Sequence, residues 1–451
     1  MRAQRPGRVR RILITRMAVA PVILALLAVA ACGETADPGL ERPAPRRDQV
    51  RLYGSDGNML NSVGERIRDN PNALNGMKGT APLTRLTETF KQRLRRVDSK
   101  LKDYNYAGES YDAVVISALA AEAAGSTAPA AIAAQINGIT VGGTECETPR
   151  SCLDLIRAGR DIAYRGVSLQ RGGFTDAGEP SATTYGILRF RDGNVLAEGE
   201  TEFVPTGDGS TATKTAPPSA GSPPGSTEPL KIGGLLSHTG DAAAGGPPMF
   251  AGAQLGVNEV NDAGGVLGKR VQWFDGDDGT SEEVSLATAQ RHINEGVQVI
   301  IGASASSLTM AVLPVVVAAG RVLFSPSNTA DELSTIDDKG LFFRTAPPDI
   351  LQSIALADLI MRDGVRRLYI IARDDAYGRG LMDGVRANLI GAGVASADIM
   401  TWTYKPEEPN FATLRIDVKS FAPDGVLVIG FDESADAIVT IESSGLTSRP
   451  L

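Results

Sequence analysis

Lys231-Ile232-Gly233-Gly234-Leu235-Leu236 is a short apolar run, followed by a glycine-rich turn and then by Phe250, Ala253, Val257 and Val260 at helical spacing up to Gly264-Gly265. The run has the length of a buried strand, and the spacing after it marks one face of a helix that two glycines stop. The same alternation recurs downstream. Strand-like runs at 271–274, 297–301, 322–325, 368–372 and 426–429 are separated by helical patterns at 282–296, 307–319, 350–362 and around Leu381, Val385 and Leu389. Short apolar strands alternating with helices predict an α/β fold, a doubly wound parallel sheet covered on both faces. In such sheets ligand sites lie in the loops after the carboxyl ends of the strands.

With 451 residues and 42% hydrophobic content the chain can bury a large core, and its length favours two or three compact units. At the amino end Arg2, Arg5, Arg8, Arg10, Arg11 and Arg16 precede an apolar run from Met17 to Ala31 that ends at Cys32. That order reads as an export signal over residues 1–31. The run falls short of the roughly 20 apolar residues that a membrane span needs. Val29-Ala30-Ala31-Cys32-Gly33 resembles a bacterial lipobox, which implies that Cys32 becomes the lipidated first residue of an extracytoplasmic, membrane-anchored protein. The alternative is a soluble secreted protein with a cysteine there by chance. Residues 32–48, rich in Pro, charge and small residues, read as a tether.

Removing residues 1–31 leaves 39 basic and 53 acidic residues, a net charge of −14, which argues against nucleic acid as a partner. Only Cys146 and Cys152 then remain, six apart around Pro149, and in an oxidising compartment that spacing reads as a local disulfide. Closing so short a loop contributes roughly 2–3 kcal/mol. The two histidines, His238 and His292, are far from the cysteines in sequence, and no zinc-site spacing is present. From Thr206 to Glu228 the composition turns almost wholly to Gly, Ser, Thr and Pro, an expected unstructured linker.

Thr239-Gly240, Asn258-Glu259-Val260-Asn261, the 263–269 stretch Ala-Gly-Gly-Val-Leu-Gly-Lys, Asp277-Asp278-Gly279-Thr280, Ser306-Ser307 after Ile301-Gly302, Asn328-Thr329 after Ser325-Pro326, Phe343-Arg344-Thr345 and Asp375-Ala376-Tyr377-Gly378 stand in an order and spacing that resemble type 1 periplasmic binding proteins. The likeness is nearest to the branched-chain amino-acid binding proteins of ABC importers and covers nearly all of 229–451. In that family the chain continues to a strand ending in Tyr-Gly-x-Asp-Gly. Here the matching residues, Leu52-Tyr53-Gly54-Ser55-Asp56-Gly57, lie near the other end. Tyr106-Ala107-Gly108-Glu109-Ser110-Tyr111-Asp112-Ala113, Ile139-Thr140 and the run from Tyr185 to Phe190 follow them. The resemblance therefore implies a circularly permuted binding protein, with 49–205 as the family's carboxyl-terminal half, 206–228 as linker and 229–451 as the amino-terminal half.

The same resemblance implies a ligand site. Ser306 and Ser307, between a strand end and a helix start, resemble the family's carboxylate-binding serines, although either alone could be an ordinary N-cap. Asn328 and Thr329 sit where the family holds an ammonium with a backbone carbonyl and a hydroxyl; a strand-end turn is the alternative. Tyr377 would face the pocket from the second lobe or pack beneath a loop. Asp56 matches the family's acidic partner of the ammonium, and in Ser-Asp-Gly-Asn it is also a good turn residue. Phe431 falls at a pocket position or in the core. The loop 241–246, Asp-Ala-Ala-Ala-Gly-Gly, lacks the aromatic residue that some relatives place against the ligand, so an amide or urea stays open beside an amino acid.

No catalytic constellation accompanies His238, no Walker A pattern follows Gly268-Lys269, and no Gly-x-Gly-x-x-Gly follows a strand, so an enzyme is not expected. The expected protein needs no cofactor or metal. Its expected partners are a small-molecule ligand, an ABC permease and, through lipid, a membrane. A ligand-sensing receptor of the same fold, signalling to a membrane partner, is the alternative.

Overall fold

Val299-Ile300-Ile301-Gly302 and Val322-Leu323-Phe324-Ser325 are buried along their whole length, as strands covered on both faces must be. They form the middle of a five-stranded parallel sheet in the order Phe342–Arg344, Val322–Ser325, Val299–Gly302, Lys231–Leu235, Gln272–Phe274. This computed structural model describes residues 49–218, 228–406 and 410–448. The signal segment, Cys32 and the tether expected for residues 1–48 lie outside the described residues.

A second sheet has nine strands. Its main path runs Ile399–Tyr404, Leu368–Arg373, Gly425–Ile429, Gln49–Gly54, Lys78–Pro82, Ala182–Arg191, Val195–Leu196. Gln49–Gly54 is parallel to Gly425–Ile429, with Arg51 opposite Gly425 and Gly54 opposite Val428. On its other side it is parallel to Lys78–Pro82. A strand from the beginning of the chain thus lies inside a sheet otherwise supplied by its last hundred residues on one side. Leu52, Val426, Val428 and Ile438 share one apolar cluster, so the joint is packed as well as hydrogen-bonded.

The five-stranded lobe is also built from both segments. The helix Ala107–Ala124 is buried along almost its whole length and lies against the helix Gly246–Asp262. Gly252 permits the approach, because a Cβ there would stand 2.1 Å from the Ala107 carbonyl oxygen. Val114, Leu119 and Phe174 from the first segment enter one core with Val257, Ile301 and Phe324 from the second. The described residues accordingly belong to a single compact unit.

Cys146 and Cys152 form the expected disulfide, with Cα atoms 5.4 Å apart. It ties the strand Thr144–Cys146 to the helix Pro149–Arg157, whose start is capped by Thr148. His292 is buried and its Nε2 lies 2.7 Å from the Gly234 carbonyl, and His238 stacks on Phe250. Among the described residues no cluster of His, Cys, Asp and Glu could hold a metal.

The expected linker is not structureless from its start. Thr206 and Gly207 complete the strand Glu202–Gly207, paired with Thr183 and Ala182. Asp208 then caps a short turn, the Thr213 amide donates to the Phe174 carbonyl, and Gln135 donates to the Pro218 carbonyl. Low apolar content suggested coil, but an extended Pro-rich strip needs few apolar residues when neighbouring donors satisfy its backbone.

Candidate functional site

The strand Gln49–Gly54 ends in a turn that Asn58 fixes. Asn58 Oδ1 accepts from the Ser55 amide at 2.9 Å, and its Nδ2 donates to the Val428 carbonyl at 2.8 Å. The turn holds Asp56, 5% exposed, at the wall of a cleft between the carboxyl ends of the two sheets.

Asp56 is surrounded by neutral donors. Tyr106 OH donates to Oδ2 at 2.6 Å, Gln352 Nε2 donates to Oδ1 at 2.8 Å, and the Tyr377 hydroxyl is 2.8 Å from Oδ1 and 2.7 Å from the Ser55 hydroxyl. Burial raises the carboxyl's pKa above its ordinary value, while the hydrogen bonds from Tyr106, Tyr377 and Gln352 pull the other way. The four residues come from 56, 106, 352 and 377, so the constellation exists only when both segments fold together.

Tyr377 is set by the helix Ala376–Gly391, which Asp375 caps by accepting from the Gly378 amide. Its ring stacks on Phe431 with centroids 5.5 Å apart. Arg373 lies over the other partner of that stack, its guanidinium carbon 3.8 Å from the Phe431 centroid, and is itself held by Asp375 at 2.6 Å and Glu433 at 3.0 Å. A buried cation paired on two sides therefore backs the aromatic wall.

Opposite stand Ser304, Ala305 and Ser306 at the start of the helix Ser306–Ala318, with Ser327 beside them. Ala305 supplies no side-chain cap, so the first amides of this helix are left for another acceptor. Ser306 Oγ accepts from the Ala330 amide at 3.2 Å, and Ser327 Oγ donates to the Ser304 carbonyl at 2.8 Å.

Of the expected site residues, Asp56, Ser306, Tyr377 and Phe431 line the cleft. Ser307, Asn328 and Thr329 do not. Ser307 is one residue further along the helix, a rotation of about 100°, and turns off the cleft. Asn328 is fully buried behind it, with Nδ2 donating to the Ala303 carbonyl and its own carbonyl accepting from Arg344 at 3.3 Å. The Thr329 carbonyl accepts from the Asp349 amide at 2.7 Å. The sequence reading missed Tyr106, Ser304 and Ser327. Tyr106 precedes the helix Ala107–Ala124 with φ of 60°, an uncommon conformation for a bulky residue, and no local pattern announces it.

Residues 229–450 match a family model described as periplasmic binding protein. The chain is similar to the Leu/Ile/Val-binding protein BraC3 of Rhizobium johnstonii, at 28% identity over 205 residues, 45% of this chain and 54% of that protein. It is also similar to the Leu/Ile/Val-binding protein of Escherichia coli K12, at 28% over 226 residues, 49% of this chain and 60% of that protein. It thus spans about half the length of the curated relatives it matches. Among solved structures, the branched-chain amino acid transporter substrate binding protein LivJ of Streptococcus pneumoniae, in complex with isoleucine, aligns at 24% identity and a TM-score of 0.43, over 49% of this chain and 63% of that one.

Proposed function

Because residues 229–450 match a family model described as periplasmic binding protein, we propose that segments 49–205 and 229–451 together make one circularly permuted solute-binding protein. It captures a free amino acid by hinge closure and delivers it to an ABC permease. One observation carries this reading: the cleft wall takes Asp56 and Tyr106 from the first segment and Ser306 and Tyr377 from the second.

A free amino acid offers a carboxylate and an ammonium. The carboxylate fits the uncapped start of the helix Ser306–Ala318, where backbone amides and the Ser306 hydroxyl meet it. The ammonium fits Asp56, whose protein partners are all neutral, so that a cation adds the missing opposite charge. Ser327 takes the place of Asn328 and Thr329 on the ammonium side, since the Asn328 carbonyl is already engaged with Arg344. Leu60, Met249 and Phe431 receive the ligand's side chain. Each lobe holds part of the polar head, so the ligand stabilises the closed arrangement.

Export and anchoring through Cys32 belong to the same proposal and rest on the sequence of residues 2–33. The test is a thermal-shift screen of the mature chain against amino acids, amides and urea. A ligand at 100 times its Kd adds about 2.7 kcal/mol of stability. A shift with amides or urea and none with any amino acid would overturn the amino-acid reading.

A further inference from the structure

Among the described residues, every charged side chain that lines the cleft is an acid: Asp56, Asp241 and Asp432. Asp241 is on the loop of the five-stranded lobe, and Asp432 follows the strand Gly425–Ile429 of the other lobe. Two arginines outside the lining are paired with other acids. Arg373 stands behind Phe431 between Asp375 and Glu433, and Arg66 pairs with Asp436 at 2.9 Å.

One carboxylate suffices for the α-ammonium of a neutral amino acid. Two more on facing lobes oppose closure unless something positive comes between them. Burial raises the Asp432 carboxyl's pKa, the Ser62 hydroxyl and Arg66 pull it back, and Asp241 and Asp436 add to the rise. The lining also includes Leu60, Met249, Ala242 and Ala244, apolar surface of the kind that suits a methylene stem. The small residues of the 242–245 loop leave room that an aromatic side chain would fill.

We propose that the ligand is an amino acid with a cationic side chain, its α-ammonium on Asp56 and its distal cation held between Asp241 and Asp432. This rests on the amino-acid reading above. The distal cation bridges the lobes, so closure depends on its charge. The polar head is held as for any amino acid; selectivity arises at the cleft mouth.

Titration calorimetry of the whole mature chain with lysine against norleucine, and arginine against citrulline, separates charge from shape. Lysine or arginine should bind at least tenfold more tightly than its neutral counterpart, and the ratio should fall as salt rises. Asp241→Asn, a change at an exposed loop position, should shrink the ratio severalfold with the unliganded melting temperature unchanged. Norleucine and citrulline binding as tightly as lysine and arginine, or a ratio unmoved by Asp241→Asn, would overturn the inference and leave the amino-acid reading standing. Binding of no free amino acid at all would overturn both.

Discussion

Glu179 Oε2 accepts from Arg344 Nε at 2.9 Å and from its Nη2 at 2.5 Å, across 165 residues of sequence and from one segment of the chain to the other. Arg344 is 1% exposed, and its remaining donors go to Ser334 and to the Asn328 and Ala330 carbonyls. The pair therefore fastens the segment before the linker to the segment after it.

Removing one partner of a buried pair strands the other charge. Glu179→Ala should destabilise the protein by about 3–5 kcal/mol. Urea denaturation followed by circular dichroism checks it, and a loss under about 1 kcal/mol would mean that Arg344 finds other compensation.

Glu109 sits in the first turn of the helix Ala107–Ala124, where burial lifts its carboxyl pKa from 4.5 to about 8, with Asp112 adding to the rise and a backbone hydrogen bond opposing it. The folded state then holds the proton more tightly than the unfolded chain. Its contribution to stability is complete below about pH 4.5 and is lost as pH rises through 8. Urea midpoints of wild type and Glu109→Gln should diverge as pH rises from about 4.5 to about 8, with wild type losing more. Parallel curves would place the proton elsewhere.

Cys32 is the expected lipid attachment point. Cys32→Ser should move the protein from the membrane fraction to the soluble fraction, and unchanged partition would remove the lipid anchor from the account.

Asp56 should carry ammonium recognition. For an amino-acid ligand, Asp56→Ala removes the cation's charged partner and should cost about 2–5 kcal/mol in affinity. Calorimetry that returns a Kd within threefold of wild type would reduce Asp56 to a turn residue.

The central strands were legible because strands buried on both faces read as continuous apolar runs, as at Val322–Ser325 and Gly425–Ile429. The strand Ile399–Tyr404 was not. It lies at a sheet edge and exposes Met400, Thr401 and Thr403, so its pattern lacks the apolar run. Asp56 and Tyr377 could be placed because each follows a strand end, and Tyr106 could not, because its role depends on a left-handed backbone at a helix start. Both Ser306 and Ser307 were expected at the site, and only Ser306 lines the cleft, a matter of helical phase that sequence leaves loose by a residue at an element's end.

The central claim is that residues 49–205 and 229–451 are one ligand-binding unit. Scanning calorimetry of the mature chain, with and without the amino acid that gives the largest thermal shift, tests it most directly. One cooperative transition, with equal calorimetric and van't Hoff enthalpies and moved as a whole by ligand, is the expected result. Two separate transitions, only one of them moved by ligand, would contradict it.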